Sequence, residues 1–168
     1  MLLKETIVFG GVDMHKRLTM VCRPRYHTPG EFKTEELIRY GIFLMEAAMT
    51  RIKNEKLNPK MIVIYDRTGM TSANRDSGII KFTLEFVKLL QDYYAERLSV
   101  MYVINANWVS KAAFMVVKPF LSVATKEKFL MVGNLGQVQE FYESDQLFLE
   151  YGGTWDYQYN PVEEFTRF

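Results

Sequence analysis

The sequence predicts an α/β fold built on a largely parallel sheet, and three observations lead there. Residues 61–65 (Met-Ile-Val-Ile-Tyr) and 100–104 (Val-Met-Tyr-Val-Ile) are apolar without alternation, as in strands covered on both faces. Long segments with helical spacing separate these runs. No internal repeat or low-complexity stretch interrupts the alternation of the two types, so helices are expected on both sheet faces.

The elements follow in order. Residues 18–23 (Leu-Thr-Met-Val-Cys-Arg) read as the first clear strand, and Pro24, Pro29 and Gly30 break it. Thr34 is the expected N-cap of a helix reaching about Glu55, with Glu35 and Glu36 in its first turn. Asn58-Pro59 ends that segment, and strand 61–65 follows. Asp76 or Ser77 is the expected cap of the next helix, which runs to about Tyr94. Its polar residues Lys81, Glu85, Lys88 and Asp92 form one narrow stripe, so this helix is expected to be covered on most sides. After strand 100–104, residues 108–121 read as a helix broken near Pro119. A short turn or helix over 125–128, a strand over 129–132 and a helix over 135–142 complete the organised part. Gly152-Gly153 closes it, and an aromatic and polar tail follows.

Size and charge bound the function. The 168 residues suit one domain, 1–168, with a core of about 10–155 and a tail of 156–168. Hydrophobic residues make up 48%, enough to line a cavity as well as fill a core. The net charge of +1, from 21 basic and 20 acidic residues, lacks the basic excess of a nucleic-acid binder. A single cysteine, Cys22, excludes an internal disulfide and favours a reducing compartment; mid-strand, it reads as a small hydrophobe. No apolar run reaches the roughly 18 residues of a membrane span, so a cytoplasmic protein with peripheral membrane contact is expected.

Three segments in register resemble the CRAL-TRIO family of phosphatidylinositol transfer proteins and of retinaldehyde- and tocopherol-binding proteins. Ile64-Tyr65-Asp66-Arg67-Thr68-Gly69 is similar to a family strand ending in Asp-x-x-Gly. Tyr93-Tyr94-Ala95-Glu96-Arg97 resembles Tyr-Pro-Glu-Arg, followed by Asn105-Ala106-Asn107 for Asn-Ala-Pro and Lys118-Pro119-Phe120-Leu121 for Lys-Pro-Phe-Leu. Glu150-Tyr151-Gly152-Gly153 matches the closing motif. Ala95 and Asn107 stand where the family usually has proline, and the domain is expected to lack the helical subdomain that commonly precedes it. The resemblance implies a mixed sheet flooring an apolar lipid pocket, closed by a gate helix over 108–121.

The resemblance also implies site residues. Glu96, Thr125 and Lys128 match the positions that hold an inositol headgroup. A phosphodiester needs a cation and a hydroxyl donor, as Lys128 and Thr125 supply. The ring hydroxyls need an acceptor, as Glu96 supplies. Read alone, the same residues are an exposed threonine and a surface ion pair. The gate and its membrane contact fall on Trp108, Val109, Phe114, Met115, Val117 and Phe120, with Lys111 and Lys118 beside them. Read alone, each of these apolar side chains packs on the sheet. Met61 and Val63 stand where hydroxyl side chains serve phosphatidylcholine, so weak binding of that lipid is expected.

Other chemistry is not indicated. Asp66 lacks a catalytic partner and reads as a strand-end turn. The glycine pairs lack the spacing of a phosphate loop. His15 and His27 lie twelve residues apart with no ligand-spaced neighbour, so no metal or cofactor is expected. No nucleophile–base pair is visible, and no enzyme is expected. The leading function is binding and transfer of one lipid, phosphatidylinositol first, at a transient membrane surface. The alternatives are a carrier of a neutral apolar ligand (sterol, tocopherol or retinoid), and an interaction module with a vestigial pocket and a protein partner.

Overall fold

The computed structural model describes residues 5–74, 77–94 and 96–166. Strands β1 (Ile7–Val12) and β2 (Leu18–Cys22) form an antiparallel hairpin. Its turn is held by Asp13, a buried carboxylate that accepts from the backbone N–H groups of His15 (3.0 Å) and Arg17 (2.8 Å) and from Arg17 Nε (2.7 Å). Helix α1 (Thr34–Asn54) leads to β3 (Met61–Asp66), α2 (Ser77–Tyr93) to β4 (Leu98–Ile104), and α3 (Trp108–Val117) with the 3-10 turn Lys118–Phe120 to α4 (Val123–Lys126) and β5 (Phe129–Val132). The C-terminal segment holds α5 (Gly136–Gln139), the turns Ser144–Gln146 and Leu149–Tyr151, and α6 (Pro161–Thr166).

Spatial order follows chain order, β1-β2-β3-β4-β5, with β2 to β5 parallel. The predicted mixed, largely parallel sheet is therefore present, with one further strand. Strand β1 carries Gly10-Gly11, which weaken the strand pattern, and its pairing with β2 shifts register between Phe9 and Val12. Its far end, still paired at Val12 with Leu18, is also tied to the C-terminal segment, where Val12 N–H donates to Gln146 Oε1 (3.3 Å) and Met14 N–H to the Phe141 carbonyl (2.9 Å).

Both faces are covered, by different means. The front face carries α1, whose Leu44, Met45, Ala47, Ala48 and Ile52 form one buried cluster with Phe9, Leu18, Met20 and Met61. Helix α2 adds Phe86 and Leu90 to its margin, and Tyr94, just past its end, joins them. The rear face carries the C-terminal segment: Val138, Tyr142, Leu147, Phe148 and Tyr151 pack on Val8, Val21, Ile62, Ile64, Val100, Tyr102 and Ile104. Trp155, Tyr157 and Tyr159 extend this cluster, so the residues read as a tail are part of the packing.

One helix start and one covering expectation need correction. Thr34 is the first helical residue and Lys33 the cap, because Glu36 reaches back to accept the Lys33 N–H (2.8 Å). Helix α2 begins at Ser77, and Asp76 lies outside the described residues. Helix α2 is not covered on most sides. None of its residues whose exposure is described is fully buried, and Ile80 is more than half exposed. It approaches α1 closely at one point, where Gly41 admits the Phe86 ring; a Cβ there would fall 2.5 Å from a ring carbon. Its remaining apolar side chains are left half-exposed.

Candidate lipid site

The strand pleat divides the sheet into two sets of side chains. On the front face one row crosses all five strands: Phe9, Met20, Val63, Met101 and Phe129 are successive pairing partners. Its first three members are buried, and Met101 and Phe129 are half-exposed. The next row, Cys22, Tyr65, Val103 and Met131, leaves Tyr65 and Met131 half-exposed. The front face is thus sealed under α1 and only partly covered toward β4 and β5. Cys22 is a half-buried member of this row, and desolvation pushes its thiol up to about 12, so it stays protonated and apolar.

Helix α3 lies over the open part. The Phe114 ring rests on Phe129 with centroids 5.0 Å apart, and Val117 is half-buried. Trp108 (78% exposed), Met115 (61%) and Phe120 (57%) are turned to solvent, with Val116 and Val123. The predicted gate set therefore divides into an inward pair and an outward trio. The Val109 side chain lies outside the described residues. Lys111 and Lys118 are exposed beside the outward group.

The three predicted headgroup residues meet at the N-terminal edge of β3–β5. Lys128 Nζ lies 3.4 Å from Glu96 Oε2, and Lys60 Nζ lies 4.0 Å from the same oxygen. The Lys128 side chain is largely covered, at 18% exposed, whereas Glu96 is 70% exposed and accessible to an incoming group. Glu96 has a left-handed backbone at φ 62°, which follows the end of α2; Ala95 before it is outside the described residues. Thr125 sits one turn from Lys128, whose N–H donates to the Thr125 carbonyl (3.1 Å). The Thr125 hydroxyl shares a 2.8 Å hydrogen bond with Ser122, the N-cap of α4. Lys60 and Ser122 were not singled out from the sequence. Ser122 carried a signal, a Ser three residues before Thr125 at a helix start; Lys60, just before β3, carried none.

The remaining motif residues build a different object. Asp66 is fully buried and accepts from Thr68 N–H (2.9 Å) and Oγ1 (2.5 Å), Arg25 Nη1 (2.8 Å) and the Tyr151 hydroxyl (3.1 Å). Asn105 Nδ2 donates to Thr68 Oγ1 (2.5 Å). Glu150 accepts from Arg25 Nη2 (3.3 Å) and, more closely, from Arg23, which also meets Glu5 (3.0 Å). Asp66 is therefore a structural hub that ties the ends of β3 and β4 to the C-terminal segment. Burial, then the charge of Asp66, pushes the Tyr151 phenol well above its ordinary value. Gly152-Gly153 completes the turn: Gly152 has φ 90°, and a Cβ on Gly153 would fall 1.9 Å from the Leu147 carbonyl oxygen. Clefts of about 240 Å³ and 160 Å³ flank this hub, and neither is lined by Glu96, Thr125 or Lys128. His15 is exposed in the β1–β2 turn, and no cluster of three metal-ligating side chains occurs among the described residues.

No helix among the described residues is long and apolar enough to cross a membrane. A CRAL/TRIO domain model matches residues 4–153. A CRAL-TRIO domain-containing protein of Schizosaccharomyces pombe is 27% identical over 151 residues, which cover 89% of this chain and 33% of that protein. Phosphatidylinositol transfer protein CSR1 of Eremothecium gossypii is 23% identical over 150 residues, again 89% and 33%. Phosphatidylinositol transfer protein SFH5 of Kluyveromyces lactis is 26% identical over 121 residues, 71% of this chain and 40% of the relative. The chain thus spans less than half the length of these curated relatives. The crystal structure of Sfh5 superposes with a TM-score of 0.76 at 20% identity, over 95% of this chain and 59% of that one, a likeness of fold. With the family model spanning nearly the whole chain and the fold in agreement, this chain belongs to the CRAL/TRIO domain family.

Proposed function

We propose that the protein holds one lipid between the front face and α3 and passes it between membranes, with phosphatidylinositol as the first candidate. One observation carries this reading: Glu96, Thr125 and Lys128 gather at the edge of the sheet where apolar front-face side chains remain half-exposed. A lipid has the same two parts, an anionic polar head and apolar chains. Two phosphatidylinositol transfer proteins among the relatives support the choice of lipid.

The mechanism is capture. Acyl chains cover Met101, Phe129, Met131 and Phe114, and each buried methylene contributes about 0.8 kcal/mol. Lys128 meets the phosphodiester, Thr125 donates a hydroxyl, and Glu96 accepts from the ring. Uncatalysed exit is slow because every methylene must be rehydrated, so release needs α3 to move at a membrane. Trp108, Met115 and Phe120 insert at the interface, and Lys111 and Lys118 each add about 1 kcal/mol on an anionic surface. Nothing in this cycle makes or breaks a covalent bond. Met61 and Val63 offer no hydroxyl, so phosphatidylcholine is a poor ligand.

Mass spectrometry of the organic extract, with native mass spectrometry for stoichiometry, tests the reading. One phosphatidylinositol per chain is expected, and Lys128→Ala should lower its retention about tenfold, or about 1.4 kcal/mol. A neutral lipid that Lys128→Ala leaves in place would replace this reading with a carrier of an apolar ligand. A lipid-free chain after incubation with phosphatidylinositol-containing vesicles would replace it with an interaction module.

A further inference from the structure

We infer that Gln91, in the last turn of α2, is a positioning residue that pins one end of the gate and sets the headgroup loop from the same point. Its side-chain amide makes two hydrogen bonds to one short stretch of backbone. Nε2 donates to the Phe120 carbonyl (2.8 Å), and Oε1 accepts the Ser122 N–H (2.9 Å). The residue between them, Leu121, is buried and extended, at φ −91° and ψ 143°. An extended residue turns its preceding carbonyl and its following N–H to the same side. A primary amide, with one donor and one acceptor side by side, fits that pair as a neighbouring strand would. Asparagine is a methylene shorter, and glutamate has no donor for the Phe120 carbonyl.

The pinned segment joins two functional parts. Upstream it ends the turn that follows α3. Downstream Ser122 caps α4: its Oγ accepts the Thr125 N–H (3.1 Å) and shares the bond with Thr125 Oγ1. Thr125 in turn accepts the Lys128 N–H, and Lys128 reaches Glu96. A continuous hydrogen-bonded path therefore runs from the foot of the gate to the headgroup trio, and Gln91 anchors it to α2. The consequence is a division of labour: the C-terminal end of α3 stays fixed and keeps Thr125 and Lys128 in register, while the end bearing Trp108 swings. This inference rests on the lipid reading above.

The test uses Gln91→Leu, which keeps a helix-forming side chain and removes both hydrogen bonds, beside Gln91→Glu, which keeps the acceptor alone. Hydrogen exchange without lipid should show faster exchange at Ser122 and Thr125 in Gln91→Leu, with a lesser change in Gln91→Glu. Loading from mixed phosphatidylinositol and phosphatidylcholine vesicles should show the ratio of the two lipids falling at least fivefold in Gln91→Leu, with total lipid per chain unchanged. A merely structural role would lower total lipid and leave the ratio alone. Unchanged exchange at Ser122 and Thr125 overturns the inference, and so does an unchanged ratio in a protein that loads phosphatidylinositol. If the wild-type chain loads none, the lipid reading falls instead, and hydrogen exchange alone decides whether Gln91 is the anchor.

Discussion

The two faces of this sheet share the same strands and do opposite work. Along the rear, Val8, Val21, Ile64 and Tyr102 are successive partners and all are sealed. Along the front, the row one residue away is sealed under α1 and opens at Met101 and Phe129. The rear is closed by side chains from the C-terminal segment that interlock, with Phe148 stacked on Tyr157 (4.5 Å between centroids) and edge-on to Trp155 (4.9 Å). The front is closed by helices that leave room. The interlocked packing is thus concentrated on one face and the half-exposed apolar surface on the other.

The contrast is sharpest in a pair of truncations. Ile64→Ala should cost about 2–5 kcal/mol, read from the urea midpoint, because it opens a cavity in a fully buried cluster. Met101→Ala, one pairing position away on the front, should cost less than half as much and instead reduce lipid retention. Equal costs would break the comparison. Tyr151→Phe comes next, at about 1–3 kcal/mol, because it removes one of the donors to the buried Asp66 carboxylate. The alkaline limit is the smallest effect. Burial pushes the phenols of Tyr102, Tyr142 and Tyr151 above the ordinary value of about 10. Above that pH the unfolded chain sheds protons that the folded chain keeps, so stability falls as pH rises. Phenolate absorbance should show these three ionising only with unfolding; ionisation in the folded protein would mean that the rear is open.

Much of this was legible in the residues. Strands β3 and β4 announced themselves through unbroken apolar runs, because both their faces are covered. The front helices were legible through their spacing. Strand β1 was not, because Gly10-Gly11 interrupt Ile7-Val8-Phe9 and the end of the strand is secured by Gln146 and Phe141, more than a hundred residues away. The packing of Trp155, Tyr157 and Tyr159 was not legible for a related reason: they alternate with polar residues, yet their partners lie on a distant surface. The resemblance singled out Glu96, Thr125 and Lys128, and the structure brings Lys128 to Glu96 and Thr125 to within one turn of Lys128. It could not point to Gln91, whose role depends on the extended backbone of Leu121. Nor did Asp66 reveal its partners, since Arg25 and Tyr151 reach it from opposite ends of the chain.

The rear seal has a consequence for how the chain is made. Strands β1 to β5 pair with neighbours already synthesised, so the sheet can assemble as it leaves the ribosome. The aromatic cover of its rear face is drawn from residues beyond Val132. Until those residues emerge, Val8, Val21, Ile64 and Tyr102 stand bare to the cell. A nascent chain stalled after β5 would therefore be a substrate for chaperones, with its front face already organised and its other side still adhesive.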